Sequence, residues 1–291
     1  MITYRHHVVS LVAVFLALAV GVVLGGGPLA DAGDGAGDET PASAAVPQTS
    51  LGDYADTFAA TTAGALLDGG LEGRSVALVA TGGPDDEVLG ALTAHVEQAG
   101  GEVAARYELL DRLVGGSSTS LVDTLGSRLV DEVDDGAIDP DAPAYDRLGQ
   151  LLGLALATSA PEGTPAGGNA RTVRQGLAGA DLLSTSDPDA DRAPLVLLVL
   201  GDDTDPDVLS GLVSGLATVA GGTVVAAGST SAREGTLAAL REDGTPGGVL
   251  SVDGVETPAG QVTAALALLA ATGGAGGDYG PAGEDGAVPV T

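Results

Sequence analysis

Apolar residues form one long run near the start of the chain and only short runs after it. Val8 to Leu24 contains no charged or amide side chain. As a helix, this run would span roughly 25 Å, which is close to the thickness of a bilayer core. The pattern therefore predicts a single transmembrane anchor over residues 1–27.

Charges on either side of the apolar run indicate how the anchor is oriented. Arg5 lies before the run, and the first charged residue after it is Asp31. By the positive-inside rule, the N-terminus stays cytoplasmic and the rest of the chain is extracytoplasmic. A cleavable signal peptide is the alternative, because Ala30-Asp31-Ala32 resembles a cleavage site. We favour a retained anchor, since the run exceeds the usual signal core of ~7 to 15 residues.

Composition then divides the remaining chain into three segments. Residues 28–50 are mostly Gly, Ala, Asp, Pro and Thr, which predicts a flexible tether because such a segment buries too little apolar surface to order itself. Residues 51–272 are rich in Val, Leu and Ala and are expected to form an α/β domain. Residues 273–291 are Gly-rich and are expected to be a disordered tail.

Two short apolar runs inside the domain predict buried strands, each followed by a helix and a second strand. Ser75 to Thr81 precedes a helix opened by Pro84 and acidic residues, and Leu195 to Leu200 precedes a helix that begins at Pro206. Further strands are predicted at 102–109, 223–227 and 249–252, and further helices at 51–71, 119–133, 145–158, 172–183 and 261–272. We therefore expect a Rossmann-like layered α/β domain with a mainly parallel sheet.

Charge and composition exclude several partners. The chain carries 40 acidic residues against 11 basic ones, giving a net charge of −29. Such a surface repels phosphate backbones, so nucleic acid is not expected as a partner. The chain has no Cys, which excludes disulfides and thiolate chemistry.

Four carboxylates follow the second of these predicted strands. Asp202, Asp203, Asp205 and Asp207 lie just past its carboxyl end, where open α/β sheets bind ligands. Such a loop is a candidate site for a hard cation such as Mg²⁺ or Ca²⁺. The alternative, which we favour, is that Asp203 or Asp205 caps the next helix while the others face water.

The signatures of nucleotide binding and of catalysis that we considered are missing from the sequence. The loop from Thr81 to Pro84 is neither GxGxxG nor a P-loop, so no nucleotide is expected. His95 is the one His outside the N-terminal segment, and we interpret it as a packed or half-exposed residue. No GxSxG sequence is present. We therefore do not expect an enzyme, and no cofactor is predicted.

Small residues recur every fourth position along the predicted anchor. Ala13, Ala17, Gly21 and Gly25 form a stripe along which two transmembrane helices can approach closely. This pattern predicts a homo-oligomer formed through the anchor helix.

Three blocks of this sequence resemble the mycobacterial copper transport protein B (MctB) family. The first is the N-terminal MITYRHHVVSLVAVFLALAVGVVLGGGPL, and the second joins Gly73 to Val79 with Ala99 to Ala104. The third runs from Ser251 to Leu269 and is followed by Asp278-Tyr-Gly280. The resemblance implies a cell-envelope protein of copper efflux or homeostasis, described as a channel-like component of the outer membrane.

Copper ligands are nevertheless scarce here. Cu(I) prefers Cys and Met, and Cu(II) favours imidazole, whereas this chain has one Met and three His. We therefore expect copper to be a transported species that follows a weak, acid-lined route between subunits. The alternative is that the protein affects copper indirectly. The alternative function is a non-catalytic envelope scaffold that binds other proteins without transporting copper.

Overall fold

A computed structural model of the chain describes residues 48–133, 136, 138–201 and 204–289. Within these residues the centre of the fold is a seven-stranded sheet with strand order β3-β2-β1-β4-β5-β6-β7. The strands are β1 (Ser75–Thr81), β2 (Glu102–Leu109), β3 (Leu183–Thr185), β4 (Leu195–Leu200), β5 (Gly222–Ala227), β6 (Val249–Asp253) and β7 (Gly277–Tyr279). All neighbouring strands are parallel except β3, which pairs antiparallel with β2.

Helices cover both faces of the sheet. They are α1 (Gln48–Leu67), α2 (Asp86–Gln98), α3 (Asp111–Val114), α4 (Thr119–Val133), α5 (Ala144–Leu156), α6 (Gly168–Gly179), α7 (Pro206–Ala217), α8 (Ser229–Glu234), α9 (Thr236–Asp243) and α10 (Pro258–Ala271). The strand order of the first six strands is that of doubly wound nucleotide-binding folds, with the order reversing between β1 and β4. The predicted mixed α/β fold with a mainly parallel sheet is therefore confirmed for the described residues.

Strand β4 shows why the sequence folds this way. Its six residues are all buried, with Leu197 and Val199 in one apolar cluster and Leu198 and Leu200 in the other. Successive side chains of a strand point to opposite faces, so a strand covered on both faces must be apolar throughout. The continuous apolar run marks β4 as a central strand.

Each face of the sheet has its own core. One cluster joins the sheet to α4, α5, α6, α7 and α9, with Leu129, Leu151 and Leu177 among its members. The other joins the sheet to α1, α2 and α10 through residues such as Leu67 and Leu268. The result is a three-layer sandwich in which the carboxyl ends of the parallel strands share one edge.

The segment after residue 272 differs from our expectation. We predicted a disordered tail over 273–291, but β7 pairs in parallel with β6, and Asp278 and Asp285 are hydrogen-bonded to each other at 2.8 Å. The Gly-rich composition did not predict an ordered segment, because the contacts that hold it come from residues distant in sequence. Residues 290 and 291 lie outside the described part of the chain.

Four other elements were not predicted, namely α3, β3, α8 and α9. The helix expected over 172–183 ends at Gly179, and its last predicted residue, Leu183, begins β3. Helices α8 and α9 fill the connection between β5 and β6, which we had not assigned. The expected helix over 51–71 begins earlier and ends earlier, as α1 over Gln48–Leu67.

The predicted anchor over 1–27, with the stripe Ala13, Ala17, Gly21 and Gly25, lies outside the described residues, as does most of the predicted tether. Within the described ranges, every helix is too short or too polar to cross a bilayer.

Candidate functional site

The acidic loop after β4 was the one cation site predicted in the α/β domain. Asp205 is the N-cap of α7, and its carboxylate accepts hydrogen bonds from the backbone N–H groups of Asp207 at 3.0 Å and Val208 at 3.3 Å. Asp207 is exposed in the first turn of the same helix, and Asp202 and Asp203 lie outside the described residues. Asp205 thus has the capping role we favoured, and its carboxylate is engaged by the helix.

Metal-ligating side chains do not cluster elsewhere in the part of the chain that the structure describes. That part contains no group of three or more His, Cys, Asp or Glu residues placed to hold a metal ion. His95 is half-buried on α2 and shares a 3.2 Å hydrogen bond with the side chain of Gln98. It is therefore a surface helix residue with a local partner, as the sequence indicated.

The crevice where doubly wound folds bind ligands lies beside the carboxyl ends of β1 and β4. It is a cavity of about 450 Å³ whose lining includes Gly83, Asp85, Gly201 and Glu256. A side chain at Gly201 would overlap the carbonyl of Gly82, so this close approach of the two loops requires glycine. The crevice is a consequence of strand order and small residues.

Carboxylates control the electrostatics of this crevice. Glu256 accepts hydrogen bonds from the backbone N–H of Ser229 at 3.1 and 3.3 Å. Partial burial raises the pKa of the Glu256 carboxyl, but hydrogen bonds, chiefly those with Ser229, outweigh it and hold that pKa below its ordinary value. Asp85 caps α2 on the other side, and the lining residues found in the described ranges include no Arg.

A larger hollow lies at the opposite edge of the sheet. It has a volume of about 710 Å³, and its lining includes Glu102, Asp187, Asp189, Asp191 and one base, Arg74. Such a surface attracts cations by its net charge. It does not form a ligand cage, because its carboxylates are too far dispersed to hold one ion together.

One hydrogen-bonded polar cluster was not revealed by the sequence, and we name it the C-terminal network. Arg241 on α9 donates to Ser251 Oγ at 2.7 Å, to Asp253 Oδ1 at 3.0 Å and to the carbonyl of Tyr279 at 3.0 Å. Asp278 accepts from Ser251 Oγ at 2.7 Å and from Thr245 Oγ1 at 2.8 Å. The network thus ties α9, β6 and β7 together.

Asp253 holds the tail at the end of β6. Its side chain is fully buried, and its carboxylate accepts from the backbone N–H of Ala282 at 3.1 Å. Gly280 packs against it so closely that a Cβ would lie 2.6 Å from Asp253 Oδ1. Both parts of the third block that carries the family resemblance, Ser251 onwards and Asp278 to Gly280, therefore meet in this network.

Two further arginines are buried away from the sheet edges. Arg174 donates to the carbonyls of Ala155, Pro188 and Ala190 at 2.8 to 2.9 Å and lies 5.6 Å from the centre of the Tyr107 ring. Burial raises the pKa of the Tyr107 phenol, and the Arg174 guanidinium opposes this only in part. Arg147 joins Asp123 in an ion pair of 2.6 Å. A chain with few bases uses several of them to fasten loops to the domain.

Comparison with known proteins adds to this geometry. The family described as copper transport outer membrane protein, MctB, matches residues 1–290. Proteins named copper transporter MctB from Mycobacterium bovis and Mycobacterium tuberculosis are 29% identical over 322 residues, covering 100% of this chain and 99% of their own length. The Mycobacterium leprae protein of the same name is 28% identical over 96% of both chains. Because the family match extends over almost every residue, from the N-terminal apolar run to the C-terminal network, this chain belongs to the MctB family.

Proposed function

We propose that this protein acts in copper homeostasis at the cell envelope, in copper efflux. The observation that carries the proposal is the family match over residues 1–290, together with relatives named copper transporter that align over the whole chain. The fold is compatible with this role because the described residues form an α/β domain in a strongly acidic chain. We propose that the protein is not an enzyme.

The chemistry of the chain indicates that copper is cargo rather than a resident cofactor. Cys is absent, the only Met is Met1, and the three His residues are His6, His7 and His95. These are too few soft or imidazole ligands for a selective copper site in one protomer. We therefore propose that copper passes along a weak, acid-lined route between subunits of an oligomeric channel.

The proposed placement follows from the N-terminal sequence. In the cytoplasmic membrane, a single anchor over residues 1–27 would hold the N-terminus in the cytoplasm and the α/β domain outside it. In the outer membrane, which the family description names, the same anchor would leave the N-terminus in the periplasm instead. The membrane is thus a partner, and a homo-oligomer formed along Ala13, Ala17, Gly21 and Gly25 would supply the contacts between subunits.

A scaffold without transport activity is the second candidate. It is favoured by the scarcity of copper ligands and by the capping role of Asp205, whose carboxylate is engaged by the start of α7. In that case the effect on copper would be indirect, through other envelope proteins bound by the domain.

Copper flux into liposomes separates these two functions. Purified full-length protein is reconstituted around a copper-sensitive dye, beside a Gly21→Ile variant that obstructs the stripe and a Val22→Ile control that does not. We expect flux with wild type and with Val22→Ile, and less with Gly21→Ile. Vesicles that stay tight with all three proteins would contradict transport and support the scaffold.

A further inference from the structure

The segment that follows α10 lies along the edge of the sheet beside β6, and we name residues 277–289 the strap. Its strand β7 pairs in parallel with β6. Beyond β7 the strap folds back on itself, because the Gly280 N–H donates to the Gly286 carbonyl at 3.1 Å and the Asp285 N–H donates to the Asp278 carbonyl at 2.9 Å. The strap is thus an ordered, terminal piece of the domain.

Little apolar surface holds the strap in place. All three residues of β7 are only half-buried. Tyr279 packs against the sheet cluster with part of its surface exposed, and Val288 is 41% exposed. The connection from α10, residues 272–276, contains only Thr, Gly and Ala. Segments with few buried apolar contacts open locally without unfolding of the whole domain. The strap is therefore held mainly by polar contacts.

One guanidinium supplies the attraction between opposite charges at the strap. Arg241 Nε lies 3.8 Å from Asp278 Oδ1, and these side chains are 10% and 18% exposed. The same guanidinium pairs with Asp253 Oδ1 at 3.0 Å. A single positive charge therefore faces two carboxylates and balances only one of them. Because the pair is largely shielded from solvent, salt weakens its attraction only slightly.

Repulsion between exposed carboxylates opposes this attraction. The strap carries Asp278, Glu284 and Asp285 and no base, and the last two of these acids are exposed. Glu242 and Asp243 are exposed at the end of α9, the helix that donates to the strap. Exposed charges interact over a screening length of roughly 30 Å in 0.01 M salt but only about 3 Å in 1 M salt. This repulsion therefore depends strongly on ionic strength.

We propose that the strap is a salt-dependent latch, which opens more often at low ionic strength and is held closed at high ionic strength. Salt removes the exposed repulsion and leaves the shielded attraction of Arg241, so the balance shifts towards the closed strap. Opening uncovers the edge of β6, whose N–H and C=O groups are then free to pair with another strand. The latch does not depend on whether the protein transports copper.

Hydrogen–deuterium exchange followed by mass spectrometry tests the latch. Full-length protein in detergent is measured at one pH in about 10 mM and about 1 M NaCl, the range over which the screening length changes most. We expect the amides of residues 277–289 to exchange about fivefold more slowly in the higher salt. A synthetic peptide of the same residues, which has no domain to close on, corrects for the effect of salt on the exchange reaction itself.

Reversing one exposed charge provides the second arm. In low salt, Glu284→Lys should slow exchange of the strap about threefold, because the new charge is attracted to the acidic domain; in high salt it should differ little from wild type. Glu97→Lys is the matched control, since it changes the net charge equally at an exposed position of α2. This helix follows β1, which lies four strands or roughly 19 Å from β7, so its effect should be much smaller.

Three results would overturn the proposal. The first is strap exchange that is unchanged or faster in 1 M NaCl, since the attraction of Arg241 would then outweigh the repulsion. The second is Glu284→Lys that exchanges like wild type, or like Glu97→Lys, in low salt. The third is protection by MgCl₂ without protection by NaCl of the same ionic strength, because that result requires a bound ion instead of screening. Equal protection by the two salts supports the latch.

Discussion

Replacing Arg241 by Met is the sharpest test of the C-terminal network. The side chain of Arg241 is 10% exposed and that of Asp253 is fully buried, and their ion pair is 3.0 Å long. Met has a similar length and no charge, so the substitution leaves the Asp253 carboxylate with the backbone N–H of Ala282 as its main remaining donor. Removing one partner of a buried ion pair costs about 3–5 kcal/mol.

The assay is urea unfolding of the full-length protein in detergent, monitored by far-UV circular dichroism. In a separate thermal unfolding scan, that cost corresponds to a fall in Tm on the order of 10 °C for a domain of this size. Limited proteolysis with mass spectrometry should also show earlier cleavage after residue 272, because the guanidinium bonds the Tyr279 carbonyl at 3.0 Å.

Arg128→Met is the matched control. Arg128 pairs with Glu132 on the surface of α4 at 2.9 Å, with side chains 65% and 43% exposed. Surface pairs of this kind contribute about 0.5 kcal/mol. The free energy of unfolding of the control should lie within about 1 kcal/mol of the wild-type value. If that of Arg241→Met does so as well, the C-terminal network does not hold the tail on the domain.

Three other predictions follow from individual residues. Gly280→Ala should release the tail to proteolysis, because Gly280 has φ of +111° and no room for a Cβ, whereas Gly179→Ala, with open space around it, should not. Asp205→Ala should destabilise the domain by about 1 kcal/mol in urea, while Asp207→Ala should change stability by much less. The pKa of Tyr107 is raised in the folded state, so its contribution to stability should be intact below pH ~10 and should fall as the pH rises beyond that value. Urea unfolding measured from pH 8 to 11 tests this expectation. A Tyr107→Phe variant should lose less stability over that range.

Much of the sheet could be predicted because its central strands are short, apolar runs between glycines. Strands β1 and β4 are buried on both faces, so their sequences carry the full pattern of a central strand. The starts of two helices could also be predicted, because helix capping depends on residues that are adjacent in sequence. Asp85 caps α2, and Asp205 followed by Pro206 begins α7.

The edges of the sheet could not be predicted in this way. Strands β3 and β7 have three residues each, and their sequences, Leu-Ser-Thr and Gly-Asp-Tyr, have no strand periodicity. Their order comes from tertiary contacts, such as the hydrogen bond that Ser251 Oγ donates to the Asp278 carboxylate, and a single sequence does not reveal these contacts. The buried role of Arg241 was hidden similarly, since an Arg on a short helix usually faces water.

The predicted cation site shows a different kind of ambiguity. Asp205 has the residue type and position of both a helix cap and a metal ligand, and only the structure distinguishes these roles. The scarcity of copper ligands, by contrast, is a matter of composition and does not depend on geometry.

The central claim is that this protein lowers the copper load of the cell from a position in its envelope. The most direct test is to measure cell-associated copper by mass spectrometry in a strain lacking the gene, grown in copper-containing medium. We predict that deletion raises cell copper and that the full-length chain restores it, whereas a chain lacking residues 1–27 does not. Equal copper in the deleted and complemented strains would contradict the account.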